Sequence, residues 1–188
     1  MERDLIDILI EDHQEVEQLF MELEKGSGDP GQRRRLGNVV IAELVRHSVA
    51  EEQYLYPTVR RAMPDGDRLA DHEIAEHAEA ERTMKELEGI EAGDPEFDVV
   101  LGRLTAEIRH HVQEEEGDLF PRLRAACTAD DLRELGEKAE RAKRLAPTRP
   151  HPSSPDEPPW NKVLGPVVGL VDRVRDAVTS RPTSPKDL

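Results

Sequence analysis

Apolar residues recur at three- and four-residue steps along most of the chain, and the alternation typical of strands is absent. In the first such segment the apolar positions include Leu5, Leu9, Val16 and Phe20. The pattern predicts helices over roughly residues 4–25, 32–62, 67–90, 95–126 and 130–145, with glycine- and proline-containing turns between them. The sequence therefore predicts an all-α fold with four main helices and a short fifth one.

The C-terminal part of the chain differs in composition. Residues 147–160 are rich in proline, which excludes a helix and predicts an extended linker between a domain at 1–146 and a tail at 161–188. The tail resumes a helical, amphipathic pattern. We expect this helix to dock on the bundle or on a second copy of the chain, giving a homodimer. A helix on a membrane surface is the alternative, but the tail lacks the Lys/Arg excess that anionic lipids favour.

The first two helical pairs are repeats of one another, offset by 64 residues. The segment HQEVEQLFMELE (13–24) aligns with HAEAERTMKELE (77–88), and HSVAEEQYLYP (47–57) aligns with HVQEEEGDLFP (111–121). The offset superimposes His13 on His77, His47 on His111 and Glu51 on Glu115. Two hairpins of one design can face each other about a pseudo-two-fold axis. Each hairpin then brings two imidazoles and a carboxylate into a shared interior.

The histidines fall on the apolar faces of the predicted helices. His47 and Glu51 are four residues apart and share a stripe with Leu44, and His111 and Glu115 repeat this arrangement. Buried carboxylates need compensating charge, and a set of imidazoles and carboxylates without thiolate suits iron or manganese, with zinc as an alternative. The candidate metal ligands are His13, His47, Glu51, His77, His111 and Glu115.

The His-x-x-x-Glu spacing alone is a weak signal, because six of the seven histidines have a glutamate four residues later. The repeat register and the inward stripe select Glu51 and Glu115. Glu17 and Glu81 are also related by the repeat and remain rival carboxylates. His72 has no counterpart in the repeat, so we interpret it as a surface residue.

Charge and composition exclude some function classes. The net charge is −15, and so acidic a chain is not expected to bind nucleic acid. The single cysteine, Cys127, excludes an internal disulfide. The sequence contains no apolar run of membrane-spanning length, and its first residues are acidic where a signal peptide is basic. These features predict a cytoplasmic protein without a membrane partner.

The pattern H–HxxxE–H–HxxxE, formed by His13, His47 with Glu51, His77, and His111 with Glu115, resembles the hemerythrin-like (HHE cation-binding) family over about residues 4–126. The resemblance implies an up-and-down four-helix bundle built from the two repeated hairpins. It also implies a cofactor of two non-haem iron ions, bridged by the two glutamates and by a solvent-derived oxygen. The four histidines would be the terminal ligands.

The sequence departs from the oxygen carriers of this family, which use five histidines, because only four face inward here. Tyr54 is three residues after Glu51 and is the first candidate to complete the coordination. Its repeat counterpart, Asp118, is the second candidate. The alternatives are a hydrogen bond from Tyr54 to a ligand and exposure of Asp118 to solvent.

The resemblance implies a protein that binds or senses a small ligand such as oxygen, nitric oxide or peroxide at the di-iron site. A di-iron enzyme that decomposes hydrogen peroxide, as a catalase does, is the first alternative, and an iron-sensing or iron-binding module is the second. No catalytic acid, base or nucleophile stands out, so any turnover would be the chemistry of the metal.

Overall fold

A computed structural model describes residues 3–26, 29–152 and 160–188, with side chains of the last helix from Val168 onward. Half of the predicted proline-rich linker, residues 153–159, lies outside the described residues. The α-helices are α1 (Leu5–Glu24), α2 (Pro30–Ala50), α3 (Tyr56–Ala62), α4 (Gly66–Gly89), α5 (Pro95–Glu114), α6 (Phe120–Ala126), α7 (Ala129–Leu145) and α8 (Trp160–Thr179). A short 3₁₀ turn, Pro185–Asp187, follows. The expectation of an all-α helical bundle is confirmed.

Side-chain caps define where several helices begin. The Asp4 carboxylate accepts a hydrogen bond from the backbone N–H of Asp7 and forms a capping box at the start of α1. Asp29 and Asp94 cap α2 and α5, and each is followed by proline at the first helical position. These local signals were visible in the sequence and place the starts of the helices within two residues of the prediction.

Two π-helical turns interrupt the two longest predicted helices. The turns span Glu51–Leu55, between α2 and α3, and Glu115–Leu119, between α5 and α6. Each lies just before a proline, Pro57 or Pro121, whose missing N–H and bulky ring disfavour regular α-helical bonding to the preceding turn. The break in each long helix is therefore a widened turn that contains the glutamate of the motif.

The apolar core has two parts, with the motif histidines between them. One cluster includes Val16, Leu44, Met84 and Leu104, and the other includes Leu9, Ala50, Leu69 and Leu119. Along each of the four main helices, the motif histidine falls between a member of one cluster and a member of the other. The fold therefore places a layer of imidazoles inside the bundle, with apolar packing above and below it.

The helices pack as two hairpins with α7 alongside. α1 packs on α2, α4 packs on α5, and α2 packs on α4, while α7 contacts α1, α2 and α8. No helix in the described part of the chain is long and apolar enough to cross a membrane. The division into a domain at 1–146, a linker and a tail remains a prediction.

Candidate metal centre

The six predicted ligand side chains converge in the middle of the bundle. Donor atoms of His13, His47, Glu51 and Glu115 lie within 4.8 Å of one another, and so do those of Glu51, His77 and His111. All six side chains are buried, and both glutamates are fully inaccessible to solvent. The repeat register thus identified a cluster that the structure brings together.

His13 and His47, the first histidine pair, approach each other through their Nε2 atoms, which are 3.1 Å apart. Glu51 Oε1 lies 3.0 Å from His47 Nε2, and Glu115 Oε2 lies 3.5 Å from His13 Nε2. Two nitrogens and two carboxylate oxygens therefore surround one small volume.

His77 and His111, the second histidine pair, have the same arrangement, with their Nε2 atoms 3.3 Å apart. Glu51 Oε2 lies 3.2 Å from His77 Nε2, and Glu115 Oε2 lies 3.6 Å from His111 Nε2. The two oxygens of Glu51 are therefore divided between the two histidine pairs, which is the disposition that a bridging carboxylate requires.

The Nδ1 atom of each imidazole, on the side away from the centre of the cluster, contacts a carboxylate. The distances are 2.8 Å for His13–Glu116, 3.3 Å for His47–Asp12, 3.1 Å for His77–Glu52 and 3.1 Å for His111–Glu76. A carboxylate can only accept, so in a neutral ring Nδ1 carries the proton and Nε2 keeps its lone pair. Such outer carboxylates orient imidazoles in metal sites.

These outer carboxylates obey the same offset of 64 residues, since Asp12 matches Glu76 and Glu52 matches Glu116. The sequence did not lead to their selection, because only residues on the apolar faces of the predicted helices were considered as ligands. Each of them is adjacent in sequence to a predicted ligand, and the adjacency recurs in both repeats. This recurrence is the sequence signal that could have identified them.

The charged groups in the cluster shift one another's pKa values. Burial would lower the pKa of His47, but Glu51 and Asp12 outweigh it and raise the pKa to about 10. Burial likewise opposes the effect of Glu51 and Glu52 on His77, whose pKa rises to about 9. Without a metal, imidazolium cations therefore offset the buried carboxylates.

A tyrosine hydroxyl completes the cluster, and it belongs to Tyr56. Its Oη lies 2.9 Å from His77 Nε2 and donates a hydrogen bond to Glu115 Oε1 at 3.2 Å. Burial and the carboxylates of Glu115 and Glu51 raise the Tyr56 pKa well above its usual value, so the phenol stays protonated. Tyr54, the residue expected from the sequence, is half-buried and packs against the cluster that contains Leu9.

The π-turn explains this difference. Within Glu51–Leu55 the backbone bonding widens, and the N–H of Tyr56 bonds to the carbonyl oxygen of Glu51, five residues earlier. Regular α-helical spacing aligns Glu51 with residues three and four positions later. In a π-turn the residue five positions later, here Tyr56, is aligned with Glu51 instead. Asp118, the repeat counterpart of Tyr54, has a side chain that is exposed and paired with Arg122.

Glu73 is a second residue that the sequence analysis did not select. Its side chain is 2 % exposed, and its Oε2 lies 3.0 Å from His111 Nδ1. Glu73 is four residues before His77, on the same face of α4. Its repeat counterpart is the apolar Leu9, so the duplication gave no indication of it.

The other candidates from the sequence lie elsewhere. Glu17 pairs with Arg109, and the Glu81 carboxylate accepts a hydrogen bond from the backbone N–H of His151. His72 is exposed and forms a surface group with Glu76 and Glu114. The interpretation of His72 as a surface residue agrees with this position.

The donor set fits a metal centre. Within the described residues, both oxygens of Glu51, Glu115 Oε2 and Glu73 Oε2 are buried without a hydrogen bond of good geometry. Buried carboxylate oxygens of this kind are costly unless a cation faces them. Ligands at about 2.0–2.2 Å from a metal lie roughly 3 Å from each other, which is close to the separations found here.

A small cavity of about 20 Å³ adjoins the cluster and is lined by all four motif histidines and by apolar side chains. The apolar lining includes Val16, Leu44 and Met84, which belong to the apolar cluster on the side away from Tyr56. A volume of this size holds about one water-sized molecule.

A helical bundle with buried imidazoles and carboxylates defines a cation-binding protein of the kind in which bundle helices supply metal ligands. The sequence matches the hemerythrin HHE cation binding domain over residues 4–123. The match spans more than half of the chain, which therefore belongs to this family, and the resemblance in the sequence is confirmed.

Known relatives agree with this assignment. An uncharacterized hemerythrin-like protein of Schizosaccharomyces pombe is 27% identical over 177 residues, which are 94% of this chain and 87% of that protein. A DNA nickase of Nostoc sp. is 29% identical over 137 residues, 73% of this chain but only 38% of the nickase.

A crystal structure with the same fold is that of a hemerythrin HHE cation binding domain-containing protein from Mycobacterium kansasii. The TM-score is 0.66 at 22% identity, and the match covers 76% of this chain and 86% of that one. At this identity the likeness shows the fold.

Proposed function

We propose that the buried cluster binds two iron ions through His13, His47, Glu51, His77, His111 and Glu115. One observation carries this proposal: four imidazoles turn their Nε2 atoms inward, onto two fully buried carboxylates that form no salt bridge with any Lys or Arg among the residues that the structure describes. Imidazole and carboxylate donors without thiolate favour iron over softer ions, with manganese or zinc as alternatives.

The protein supplies ligands, orientation and a dry surrounding. Glu51 reaches both histidine pairs and is the natural bridge, while Glu115 faces His13 and His111 with one oxygen and Tyr56 with the other. Asp12, Glu52, Glu76 and Glu116 hold the imidazoles in one tautomer. When bound, iron supplies the redox and ligand-binding chemistry.

The ligand of this centre is a small molecule, because the adjoining cavity of about 20 Å³ admits only a group of about the size of water. Oxygen, nitric oxide and hydrogen peroxide fit this limit. We propose binding or sensing of such a ligand as the function. The net charge of −15 disfavours the phosphate backbone of a nucleic acid as a partner.

Decomposition of hydrogen peroxide is the second candidate, and Tyr56 favours it. The Tyr56 phenol, 2.9 Å from His77 Nε2 and hydrogen-bonded to Glu115, is a proton donor within the cluster, on the side opposite the cavity. An apolar diatomic gas would make less use of such a donor.

Metal analysis with an optical spectrum tests the proposal. We expect about two irons per chain, as in other two-metal bundles. Replacing an inward ligand, as in His47→Ala, should lower this content sharply. The matched control is His72→Ala, which removes an exposed histidine outside the cluster. Full iron content in His47→Ala would refute the ligand assignment.

Addition of hydrogen peroxide to the iron-loaded protein separates the two candidate functions. Sustained release of oxygen would identify a peroxide-decomposing enzyme. A stable spectral change without oxygen release would identify a binding or sensing protein.

A further inference from the structure

A groove opens between α1 and α5 on the surface of the bundle. Its volume is about 490 Å³. His13 lines the groove, and most of its accessible lining is apolar, formed by Val16, Phe20, Met21, Ile108 and Val112. An apolar groove that includes a histidine of the cluster is a direct approach from solvent to the centre.

The groove adjoins the cavity beside the metal centre across a shared wall. The cavity and the groove share four lining residues, His13, Val16, Ile108 and Val112. A molecule in the groove is therefore separated from the four imidazoles only by side chains that line both spaces. Ile108 and Val112 are partly exposed, as expected for residues at such a boundary.

In the described part of the chain, the repeat-related face, between α2 and α4, is covered. α2 packs directly on α4. The counterpart of the exposed Arg109 in the groove is Val45, which is buried. The pseudo-two-fold axis therefore relates an open face to a closed one.

The C-terminal segment is one cause of this closure. On α4, the glutamates at the rim bind the tail: Glu81 accepts from the His151 N–H at 2.7 Å, and Glu88 pairs with Arg149 at 2.6 Å. On α2, Arg46 donates to the carbonyl oxygen of Thr183 at 2.7 Å. The tail is thus tied to both helices of the closed face.

On the open face, the counterparts of these glutamates, Glu17 and Glu24, bind a side chain of the bundle instead. Arg109 on α5 pairs with Glu17 at 2.7 Å and with Glu24 at 2.8 Å. These ion pairs are exposed and therefore contribute little stability. The groove is left uncovered beside them.

We propose that the α1–α5 groove is the entrance through which an uncharged small molecule reaches the metal centre, and that the α2–α4 face does not serve this purpose. This inference rests on the proposed function. The apolar walls favour a diatomic gas such as oxygen or nitric oxide. Glu17 and Glu116 at the groove disfavour anions by like-charge repulsion, which Arg109 beside Glu17 and His13 beside Glu116 reduce in part.

Nitric oxide binding to the reduced, iron-loaded protein, followed by stopped-flow spectroscopy, tests this route. Met21→Trp fills the groove at a position that is 46 % exposed, where the bundle can tolerate a larger side chain. We expect the binding rate to fall about tenfold, because the indole must move aside before the ligand enters. Met21→Ala should raise the rate.

Lys85→Trp is the matched control, since Lys85 is the repeat counterpart of Met21 on the closed face and is also exposed. We expect a rate equal to that of the unaltered protein. Equal slowing by both tryptophans, or no slowing by Met21→Trp, would overturn the inference. Absence of any nitric oxide signal in protein shown to contain no iron would instead overturn the proposed function.

Xenon binding to crystals of the metal-free protein gives a readout that is independent of iron. Xenon binds to apolar cavities, so we expect a xenon atom beside Val16 and Ile108. It should be absent in Met21→Trp and present in Lys85→Trp. Xenon between α2 and α4 but not in the groove would contradict the proposed entrance.

Discussion

The two histidine pairs share one scaffold but differ in their surroundings. The ring of Phe120 stacks on His13 in the first pair, and the ring of Tyr56 packs on His77 in the second. The same repeat offset relates Phe120 to Tyr56. The first pair therefore has an apolar neighbour where the second has a hydroxyl.

A second difference also makes the surroundings of the first pair more apolar than those of the second. Leu9 lies one turn before His13, whereas Glu73 lies one turn before His77. Glu73 is buried beside His111. The first pair thus adjoins the apolar residues Phe120 and Leu9, and the second pair adjoins the polar groups of Tyr56 and Glu73. The comparison teaches that the duplicated motif sets the positions of the ligands, while neighbours outside the motif make the two halves chemically different.

The largest expected effect comes from the residue common to both pairs. Glu51 faces His47 with one oxygen and His77 with the other. Glu51→Ala should therefore abolish binding of both metals, whereas loss of a residue that serves one pair should spare the other. Metal analysis after gel filtration measures this, with circular dichroism to check the helices. One fully retained metal would show that Glu51 does not bridge.

Loss of an outer carboxylate should have the next largest effect on metal affinity. The loss should differ between the two histidine pairs. Asp12→Asn removes the carboxylate behind His47, and metal affinity should fall roughly 10- to 100-fold. Glu76→Gln should have a smaller effect, because Glu73 still lies 3.0 Å from the same imidazole nitrogen of His111. Competition titration with a chelator measures both affinities. Equal losses would show that Glu73 does not support His111.

Substitution of one arginine on each face compares how much the ion pairs of the closed and the open face stabilise the fold. Arg149 is almost completely buried and pairs with Glu88 and Asp176, so Arg149→Ala should cost about 2 kcal/mol of unfolding free energy. Arg109 is exposed, and Arg109→Ala should cost less than about 1 kcal/mol. Urea unfolding measures both. A larger cost for Arg109→Ala would contradict the description of the tail as tightly docked.

The smallest effect concerns the ring beside the second pair. Tyr56→Phe gives this pair the ring type that Phe120 provides to the first. The lost hydrogen bonds should lower the unfolding free energy of the metal-free protein by about 1 kcal/mol. Chemical denaturation after chelator treatment is the measurement. An unchanged value in Tyr56→Phe would mean that the hydroxyl contributes nothing to the cluster.

The sequence predicted the helices and the convergence of the six side chains well, because both depend on periodic signals. The offset of 64 residues gave the register of His13 with His77, and the apolar stripes gave their inward direction. These features are local or repeated, and a single sequence contains them.

Features that depend on departures from regular geometry or symmetry were not predicted. The π-turn at Glu51–Leu55 brings Tyr56 to the centre in place of Tyr54, and regular helical spacing cannot anticipate this shift. Glu73 breaks the repeat and so escaped a search for duplicated residues. The docking of residues 146–151 on α4 depends on long-range ion pairs, for which the sequence gives no register.

Anomalous X-ray diffraction at the iron edge, from crystals of the purified protein, tests the central claim most directly. The account predicts two peaks inside the bundle, one beside the Nε2 atoms of His13 and His47 and one beside those of His77 and His111, with Glu51 between them. A single peak, or a peak only at the surface group of His72, Glu76 and Glu114, would contradict it.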